Sequence, residues 1–424
     1  MKKMLRLMIT LLIQLNRSLP ESSEPLRINI RWLFILKKNQ LWNMLEIAIF
    51  IFWVCLGLIL YVYLGYPVLL MVVGIFKNKP IDSKDITPTV TMVISAYNEE
   101  KVIREKIENT LALDYPKDKL QILIGSDGST DKTNEIVKEY AVYGVILDYE
   151  EKRLGKPGVL FRCVPKVKSE VILFSDADAM YSPDAVKKLI RHFNDKSIGC
   201  VEGVRIDIDV KGTVLESIYW KYETFLKKLA SRTRSLVGAT GAIFAIRKEL
   251  YMPISRDRGD DFELPIRIAQ HSYGTICDPE AVAFHPWLEN EDEYRRIVRI
   301  VSWMLPSALI LLKEAILRFK ILSAIQLLSH KLLRWFVPIF MCVIFLSNLL
   351  LARSMPYYIF LLMQMIFYIT SLMGYICAKK KVKLPTIANI PYYFCLINFA
   401  SLVGLYKYLL RRPIKMWKKT GGRE

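Results

Sequence analysis

The sequence predicts an α/β domain with a mainly parallel β-sheet, attached to helices that cross a membrane. Between residues 87 and 303, short β-branched runs alternate with stretches whose apolar residues recur at helical spacing. Long apolar runs lie on both sides of this region. Because alternating strands and helices form a mainly parallel sheet with helices on both faces, residues 87–303 are expected to form one such domain.

Five runs are predicted as strands and three amphipathic stretches as helices. The strands are residues 89–94, 121–125, 145–147, 171–174 and 200–206, and the helices are 99–113, 131–143 and 183–193. In parallel sheets of this kind, ligands bind beyond the carboxyl ends of the strands. The residues that follow each strand are therefore the candidates for chemistry.

The composition indicates a membrane protein. Hydrophobic residues make up 53% of the 424 residues, and the formal net charge is nevertheless +19. This combination is typical of a protein whose polar face lies against anionic lipid. We expect membrane lipids rather than nucleic acid as the partner, because many basic residues flank apolar runs. These are Lys77, Lys79, Lys379, Lys380, Lys381, Arg411, Arg412 and Lys415.

The cysteines and histidines argue against a zinc site, a disulfide framework and a histidine-rich metal centre. The seven cysteines have no metal-ligand spacing, and the chain has only four histidines. Buried thiols in a reducing compartment are the expectation.

The membrane segments are predicted from the length of the apolar runs. Residues 47–76 contain no charged residue, and about 20 apolar residues are enough for a helix to cross the hydrocarbon core. The motif Gly65-Tyr66-Pro67 predicts a kink in this helix. Residues 1–46 are predicted as a basic interfacial segment, and residues 304–334 as interfacial helices.

The C-terminal part is predicted to hold about three membrane helices, within residues 335–410, followed by a basic tail at 411–424. The individual spans are 335–352, 357–378 and 387–406. The basic residues at 379–383 and at 411–419 both favour the cytoplasmic side. Either the last apolar segment re-enters the membrane or one of the two basic clusters departs from this rule.

Acidic residues follow several of the predicted strands. Asp127 follows the second strand, the motif Asp176-Ala177-Asp178 follows a buried strand, and the pair Asp260 and Asp261 comes later in the chain. Carboxylates gathered at one sheet edge repel each other, and hard oxygen ligands suit Mg²⁺ or Mn²⁺. The succession of motifs predicts a divalent metal that bridges a diphosphate. For each motif alone, a solvated turn or a helix N-cap is the alternative.

Six motifs carry a resemblance to a known family. They are Ala96-Tyr97-Asn98-Glu99, Ser126-Asp127-Gly128-Ser129-Thr130-Asp131, Arg153-Leu154-Gly155-Lys156, Asp176-Ala177-Asp178, Gly238-Ala239-Thr240-Gly241-Ala242 and Asp260-Asp261-Phe262-Glu263-Leu264. Two more are Tyr219-Trp220-Lys221-Tyr222-Glu223 and Ser329-His330-Lys331-Leu332-Leu333-Arg334-Trp335. With these motifs, roughly residues 61–334 resemble the family-2 inverting glycosyltransferases of GT-A fold. The likeness is to the membrane-bound exopolysaccharide-synthase type, related to cellulose, chitin and hyaluronan synthases.

The resemblance implies a multi-pass protein of the cell membrane with a cytoplasmic GT-A domain. It implies transfer of a sugar from a nucleotide-diphosphate sugar, expected to be a UDP-sugar, to the hydroxyl of a glycan or lipid-linked acceptor. Inversion at the anomeric carbon would give a β-glycosidic bond in polysaccharide synthesis.

The resemblance also implies roles for individual residues. Asp261 matches the general base that takes the proton of the acceptor hydroxyl, and Asp176 and Asp178 match the ligands of Mg²⁺ or Mn²⁺. The donor-binding residues implied are Tyr97, Glu99, Asp127, Lys156, Asp176, Arg296 and Arg299. The acceptor-binding residues implied are Gly241, Ala242 and Asp260.

The helical segment around Arg299 departs from the family pattern. Processive members carry Gln-x-x-Arg-Trp, whereas this chain has Arg296 and Ile300 at the Gln and Trp positions and keeps only Arg299. On a helix, Arg296 and Arg299 share a face and could grip a diphosphate. Because Ile300 replaces the aromatic residue expected at the acceptor terminus, single transfer and processive polymerisation are both open.

Three other functions compete with this interpretation. A polyprenyl-phosphate glycosyltransferase would use a lipid phosphate as the acceptor. A transporter with a nucleotide-binding domain is disfavoured, because the apolar spans hold few charged residues and the chain has no Walker-type loop. A dinucleotide-dependent oxidoreductase is disfavoured because no G-x-G-x-x-G motif follows the first strand.

Overall fold

The computed structural model describes residues 30–77, 80–209, 218–255, 258–287, 290–380, 382 and 386–412. Most of the predicted basic segment 1–46 and of the predicted tail 411–424 lies outside the described residues. The chain divides into two compact units. One contains residues up to Gly57 together with Phe340–Ile366, and the other contains Leu58–Ile339 and Phe367–Glu424.

The second unit is built on an eight-stranded sheet of order β3-β2-β1-β4-β7-β6-β8-β5. Six strands share one direction, and β7 and β5 run against them, so the sheet is mixed but mainly parallel. The strands are β1 Val90–Ala96, β2 Leu120–Asp127, β3 Val145–Glu150, β4 Val171–Asp176, β5 Met180–Tyr181, β6 Ile198–Ile208, β7 Phe244–Arg247 and β8 Gly274–Pro286. The predicted fold class is confirmed, and the five predicted strands are β1, β2, β3, β4 and β6.

The register of the central strands brings the candidate residues to one edge. In β1, Ser95 pairs with Gly125 of β2 on one side and with Asp176 of β4 on the other. The strands therefore end level with each other, and the residues that follow them emerge together. β1 is almost fully buried because helices cover both of its faces.

Helices of the α/β domain pack on both faces of the sheet. They are α3 Ile103–Leu111, α4 Thr133–Glu139, α5 Lys156–Cys163, α6 Ala185–Ile190, α7 Ile218–Arg232 and α8 Asp260–Gln270. Met92 and Ile94 of β1 pack against one core, which takes in α3, α4 and α6. Val93 lies between them in the sequence and packs into a second core, on the other face of the sheet, together with residues of α5 and α8. This alternation follows from the period of two in a strand.

The remaining α-helices are mainly apolar, and most of them are long. They are α1 Ile30–Leu60, α2 Tyr66–Lys77, α9 Asn290–Leu317, α10 Ile321–Leu327, α11 Leu333–Leu351, α12 Met355–Lys379 and α13 Thr386–Leu409. Within the described part of the chain, five stretches are long and apolar enough to cross a membrane: Asn43–Lys77, Glu291–Leu317, Ile321–Leu351, Met355–Lys379 and Ala388–Leu409. Four of these five stretches overlap the spans predicted from the sequence. The fifth, formed by α9, contains the segment around Arg299 and continues into residues that were predicted as interfacial helices. The predicted domain boundaries stay predictions.

A π-helical turn, Tyr61–Gly65, joins α1 to α2 at the position where the sequence predicts a kink. Pro67 has no N–H to donate to the carbonyl of Tyr63, one helical turn earlier. That carbonyl instead accepts a hydrogen bond from the hydroxyl of Tyr222, at 3.0 Å. The irregular turn is therefore satisfied by a side chain of α7.

In the first unit, the described contacts between α1 and the α11–α12 region are aromatic. The ring of Phe52 lies 5.3 Å from the ring of Tyr357, and the indole Nε1 of Trp53 donates to the Tyr357 hydroxyl at 3.2 Å.

Candidate active site

A large cleft, with a volume of about 1010 Å³, opens at the carboxyl edge of the sheet within the second unit. Its walls come from the ends of β1, β2 and β4, from α8 and from α9. All but one of the predicted site residues line it: Tyr97, Glu99, Asp127, Lys156, Asp176, Asp178, Gly241, Asp260, Asp261, Arg296 and Arg299. The exception is Ala242, whose side chain is only 1% exposed and lies in the core.

Three charged groups converge beside Gly241. A β-carbon on this glycine would stand 3.1 Å from Lys156 Nζ, and 3.3 Å from both Asp176 Oδ2 and Asp261 Oδ2. Any two of these three atoms are therefore separated by no more than about twice 3.3 Å. The absence of a side chain at Gly241 keeps this point of the cleft open. The carboxylate after β4 and the one at the start of α8 thus share a single pocket.

Lys156 links the carboxylates on both sides of this point. Its Nζ donates a hydrogen bond to Asp176 Oδ1 at 2.8 Å and lies 4.0 Å from Asp260 Oδ2. Burial raises the pKa of Asp176, but the charge and hydrogen bond of Lys156, together with His285, lower it, and the net pKa is lowered. Asp176 is therefore ionised at neutral pH, although it lies deep in the cleft.

Asp176 and Asp178 form a candidate metal centre with a third residue, His285. One ligand atom from each lies within 4.8 Å of the others. Carboxylate oxygens are the ligands that Mg²⁺ and Mn²⁺ prefer, and a single imidazole is compatible with Mn²⁺ in particular. The donor set therefore fits a divalent cation.

The orientation of His285 is fixed by its neighbours. Its Nδ1 lies 2.9 Å from the carbonyl oxygen of Pro286 and 4.0 Å from Asp207 Oδ1, which in turn accepts a hydrogen bond from Arg205. A proton held on Nδ1 by these acceptors leaves the lone pair of Nε2 directed at Asp178, 3.2 Å away. Asp207 and His285 are direct partners in the pairing of β6 with β8.

The acidic pair lies in the first turn of α8, which begins at Asp260. Burial and then the neighbouring carboxylates, among them Asp261, raise the pKa of Asp260 to about 6, against the opposing effect of Lys156. Asp260 Oδ2 is buried and accepts no hydrogen bond from any described residue.

The loop that contains Gly238 and Gly241 is held against the start of α8. The backbone N–H of Ala239 donates a hydrogen bond to the backbone carbonyl of Asp261 at 2.7 Å.

The end of β2 anchors a loop rather than presenting a free carboxylate. Asp127 is 3% exposed, and its two oxygens accept the backbone N–H groups of Leu154 at 2.6 Å and Gly155 at 2.8 Å. The loop so held places the guanidinium of Arg153 over the ring of Tyr97, 3.6 Å from its centroid. Tyr97 and Arg153 together form a flat wall at this end of the cleft.

The arginines of α9 divide between cleft and surface. Arg296 and Arg299 both line the cleft, as their shared helical face predicts, and Arg296 also forms an ion pair with Glu293 at 2.9 Å. Arg295 is exposed and pairs with Glu291 on the same helix. Only the first two are therefore placed to contact a ligand.

His285 and Trp303 are among the cleft residues that sequence patterns missed. His285 lies on β8, and a single histidine has no spacing partner that would mark it as a ligand. Trp303 lies one turn beyond Ile300 on α9, lines the cleft, and has a buried indole Nε1 with no hydrogen-bond acceptor among the described residues. The only sequence signal for Trp303 was its helical spacing from Arg299.

Known proteins share both the sequence and the fold of this region. The family model described as Glycosyl transferase family 2 matches residues 91–254. The chain is 28% identical over 211 residues to the probable glycosyltransferase YdaM of Bacillus subtilis, a match that covers 46% of this chain and 50% of that protein. It is 30% identical over 174 residues to the poly-beta-1,6-N-acetyl-D-glucosamine synthase of Staphylococcus aureus, covering 40% and 41%. The chain thus spans half or less of the length of these relatives.

A solved structure shares the fold over most of the chain. The mannosyltransferase PcManGT from Pyrobaculum calidifontis, solved in complex with GDP-Man and Mn²⁺, superposes with a TM-score of 0.64 at 20% identity and covers 85% of this chain and 99% of that one. The two chains therefore have the same GT-A architecture. Residues 91–254 thus match the glycosyl transferase family 2 model, and they lie within a domain of GT-A fold.

Proposed function

We propose that the protein is an inverting glycosyltransferase. It transfers a sugar from a nucleotide-diphosphate sugar, with UDP as the nucleotide, to a hydroxyl of a glycan acceptor and forms a β-glycosidic bond in polysaccharide synthesis. One observation carries the proposal: Lys156, Asp176 and Asp261 converge beside Gly241, at the carboxyl edge of the sheet. In this proposal Lys156 would bind the diphosphate, Asp176 would bind the metal and Asp261 would be the base.

The donor would lie along the ends of β1, β2 and β4. The wall formed by Tyr97 and Arg153 offers a flat surface on which a nucleotide base can stack. Asp176, Asp178 and His285 would hold the divalent cation. When bound, this cation neutralises the negative charge that develops on the departing diphosphate. Lys156, Arg296 and Arg299 supply further positive charge from the protein itself.

Asp261 would act as the base for the acceptor. The acceptor oxygen attacks the anomeric carbon, its proton passes to an Asp261 carboxylate oxygen, and the bond from that carbon to the diphosphate oxygen breaks. The attack comes from the face opposite the diphosphate, so the configuration inverts. Asp260, whose pKa is raised to about 6, lies beside this base and can hydrogen-bond the acceptor.

A lipid phosphate as the nucleophile is the second candidate. The relatives include a protein named Beta-monoglucosyldiacylglycerol synthase from Nostoc, 33% identical over 119 residues, and the diacylglycerol in that name is a lipid with a hydroxyl and no phosphate. A phosphate oxygen is already anionic and needs no base, whereas a hydroxyl does. The position of Asp261 therefore favours a hydroxyl nucleophile.

We also propose that the protein resides in the cell membrane with its GT-A domain on the cytoplasmic side. The five candidate membrane helices support the membrane location. Nucleotide sugars are cytoplasmic substrates in this proposal, and the cleft must face them. Either single transfer or polymerisation is compatible with Ile300 and Trp303 in α9.

The test is a screen of nucleotide sugars against the full-length protein in detergent, with released nucleoside diphosphate and product size as the readouts. Asp261→Asn should lower transfer by about 10²- to 10⁴-fold, the usual contribution of a general base, and should leave nucleotide binding unchanged. Asp118→Asn, on an exposed carboxylate just before β2 and remote from the cleft, is the control. Full activity of the Asp261 variant would refute the assignment of the base.

A further inference from the structure

Two sequence motifs that the proposed reaction does not use meet at the membrane-helix end of the cleft. Glu223, from the first motif, is 6% exposed and lies 3.3 Å from the imidazole Nε2 of His330. Glu223 also accepts a hydrogen bond from the guanidinium of Arg334, in the second motif. Burial raises the pKa of Glu223, whereas the neighbouring Arg334 lowers it. The resulting pKa is well below the usual range of a glutamate. Glu223 is therefore a carboxylate committed to this contact.

The contact lies between two π-helical turns. Tyr61–Gly65 interrupts the first candidate span, and Leu328–Leu332 interrupts the third. The two turns touch through the hydroxyls of Tyr61 and Ser329, 2.8 Å apart. π-helical turns are rare and occur frequently at functional sites. They change the direction of the side chains that follow, and here Tyr63, His330 and Lys331 line the cleft.

The charges at this end of the cleft do not balance. Two carboxylates, Glu202 and Glu223, are each matched by a cation, Lys227 and Arg334 respectively. Lys331 lies near both pairs, but no described carboxylate forms an ion pair with it. An ammonium group in a candidate membrane helix is costly without a counter-ion, and such residues commonly mark a functional site. These five residues, which we call the lysine compartment, therefore carry one positive charge in excess.

The lysine compartment is continuous with the reacting centre. Lys227 is bound to Glu202, and Glu202 Oε1 accepts the backbone N–H of Thr240 at 2.7 Å. Thr240 precedes Gly241, beside which Lys156, Asp176 and Asp261 converge. One cavity is lined by residues of both places. A molecule whose charged group binds at Lys331 therefore lies in the same cleft as the proposed base.

The outer faces of the two π-helical turns are apolar. Leu64 in the first turn is 63% exposed, and Leu328 in the second is 41% exposed. The two π-helical turns therefore expose leucine side chains on their outer faces, while Lys331 of the second turn lines the cleft. This arrangement suits a ligand with an apolar tail and an anionic head. A neutral glycan would leave the charge of Lys331 without a counter-ion.

We propose that Lys331 binds the phosphate group of an anionic lipid whose polar part carries the acceptor hydroxyl. The proposal rests on the proposed glycosyltransferase function and specifies its acceptor class: a lipid-borne hydroxyl next to a phosphate. His330 and Arg334, held by Glu223, position the π-helical turn on which Lys331 lies.

The test is an equilibrium binding measurement on the full-length protein in mixed detergent micelles. The probe is fluorescent phosphatidylglycerol, and the competitors are unlabelled phosphatidylglycerol, diacylglycerol and inorganic phosphate. We expect competition by unlabelled phosphatidylglycerol and much weaker competition by diacylglycerol, which has the same chains but no phosphate. Equal competition by diacylglycerol would overturn the proposal. Inorganic phosphate that competes at the same concentration as the lipid would overturn the lipid as the source of the phosphate.

Variants locate the binding to Lys331. Lys331→Gln should weaken phosphatidylglycerol binding about 10-fold or more, as expected for the loss of a charged hydrogen bond, and Lys331→Arg should retain it. Lys313→Gln removes an exposed lysine from another candidate membrane helix and should change the affinity less than about 2-fold. If Lys331→Gln binds as the unmodified protein does, the site is refuted. If Lys331→Gln does not fold, failure of Lys331→Arg to retain binding refutes it.

Failure of this inference is distinguishable from failure of the proposed function, because the lipid measurement uses no nucleotide sugar. A protein that transfers sugar but binds phosphatidylglycerol independently of Lys331 would refute only the lipid site. A protein that binds the lipid through Lys331 but turns over no nucleotide sugar would refute the transferase and leave the site in place.

Discussion

The imidazole Nε2 of His285 lies 3.2 Å from Oδ1 of Asp178, and the two residues come from distant parts of the chain. Asp178 follows β4, whereas His285 lies near the end of β8. Two lone pairs this close repel each other unless a proton or a cation lies between them. The hydrogen bond that holds the other ring nitrogen prepares His285 to share a cation with the carboxylates.

His285→Ala should weaken the binding of Mn²⁺ by at least about 10-fold, because one of three ligands in the described site is lost and even the loss of an outer-shell partner costs about 10- to 100-fold. Free Mn²⁺ measured by electron paramagnetic resonance in a titration of the purified protein gives the affinity directly. His271→Ala, an exposed histidine outside the cleft, is the control. Equal Mn²⁺ affinity in the two variants would remove His285 from the metal site.

Lys156→Met should move the acidic limb of the rate–pH profile to higher pH. The ammonium of Lys156 offsets the effect of burial on Asp176, so its removal lets the pKa of that carboxyl rise. A shift of about one pH unit or more is expected for the loss of a neighbouring positive charge. Lys156→Arg keeps the charge and should keep the limb in place. An unchanged profile for Lys156→Met would show that Lys156 does not set the ionisation of Asp176.

Gly241→Ala should lower kcat while leaving thermal stability nearly unchanged. The added methyl group would stand within 3.3 Å of Lys156 Nζ and of two carboxylates, all of which are ends of side chains that can move aside. A displacement of about 1 Å at a reacting centre can cost as much as about 100-fold in rate.

The matched control is Gly57→Ala, where an added β-carbon would meet nothing within 4 Å. A Gly241→Ala protein with normal kcat would show that the reacting atoms lie elsewhere in the cleft. Equal losses of activity and stability would indicate a structural role for Gly241.

Asp260→Asn should stabilise the protein at pH 7.5 but not at pH 4. The pKa of Asp260 is raised from 3.8 to about 6, so the folded state holds this proton more tightly than the unfolded chain. The contribution of Asp260 to the free energy of unfolding is then highest below pH 3.8, falls as the pH rises to about 6, and is constant above. The full effect is on the order of 1 to 3 kcal/mol.

Melting temperatures of the unmodified protein and of Asp260→Asn, measured across this pH range, test the prediction. The difference between them should grow between pH 4 and pH 6 and then level off. Asp118→Asn, at an exposed carboxylate, should show no such growth. A constant difference across the range for Asp260→Asn would contradict the raised pKa.

Local patterns in the sequence were sufficient for the central strands and for the acidic positions. A strand buried on both faces has an apolar run of recognisable length, as in β1 and β4, and the acids follow directly where such runs end. The spacing Asp176-Ala177-Asp178 and the pair Asp260 and Asp261 are properties of neighbouring residues. Local spacing was therefore enough to assign these acids to the sheet edge.

Other strands and contacts have no local signature. β8 is interrupted by Asp278, Pro279 and Glu280, whose polar side chains and proline hide the strand pattern. β7 is only four residues long and antiparallel to its neighbours. Ala242 belongs to a motif of the cleft, yet its side chain lies in the core, in the turn that precedes β7.

The sequence alone determined the fold class, the order of the acidic motifs and the apolar runs, because each depends on residues that are close in the chain. Tertiary structure alone decided that His285 joins Asp176 and Asp178, that Glu223 holds Arg334, and that Lys331 lies in the cleft with no carboxylate paired to it among the described residues. These contacts depend on the packing of segments that are far apart in the chain. No periodicity encodes them, since many pairings are compatible with the same local pattern.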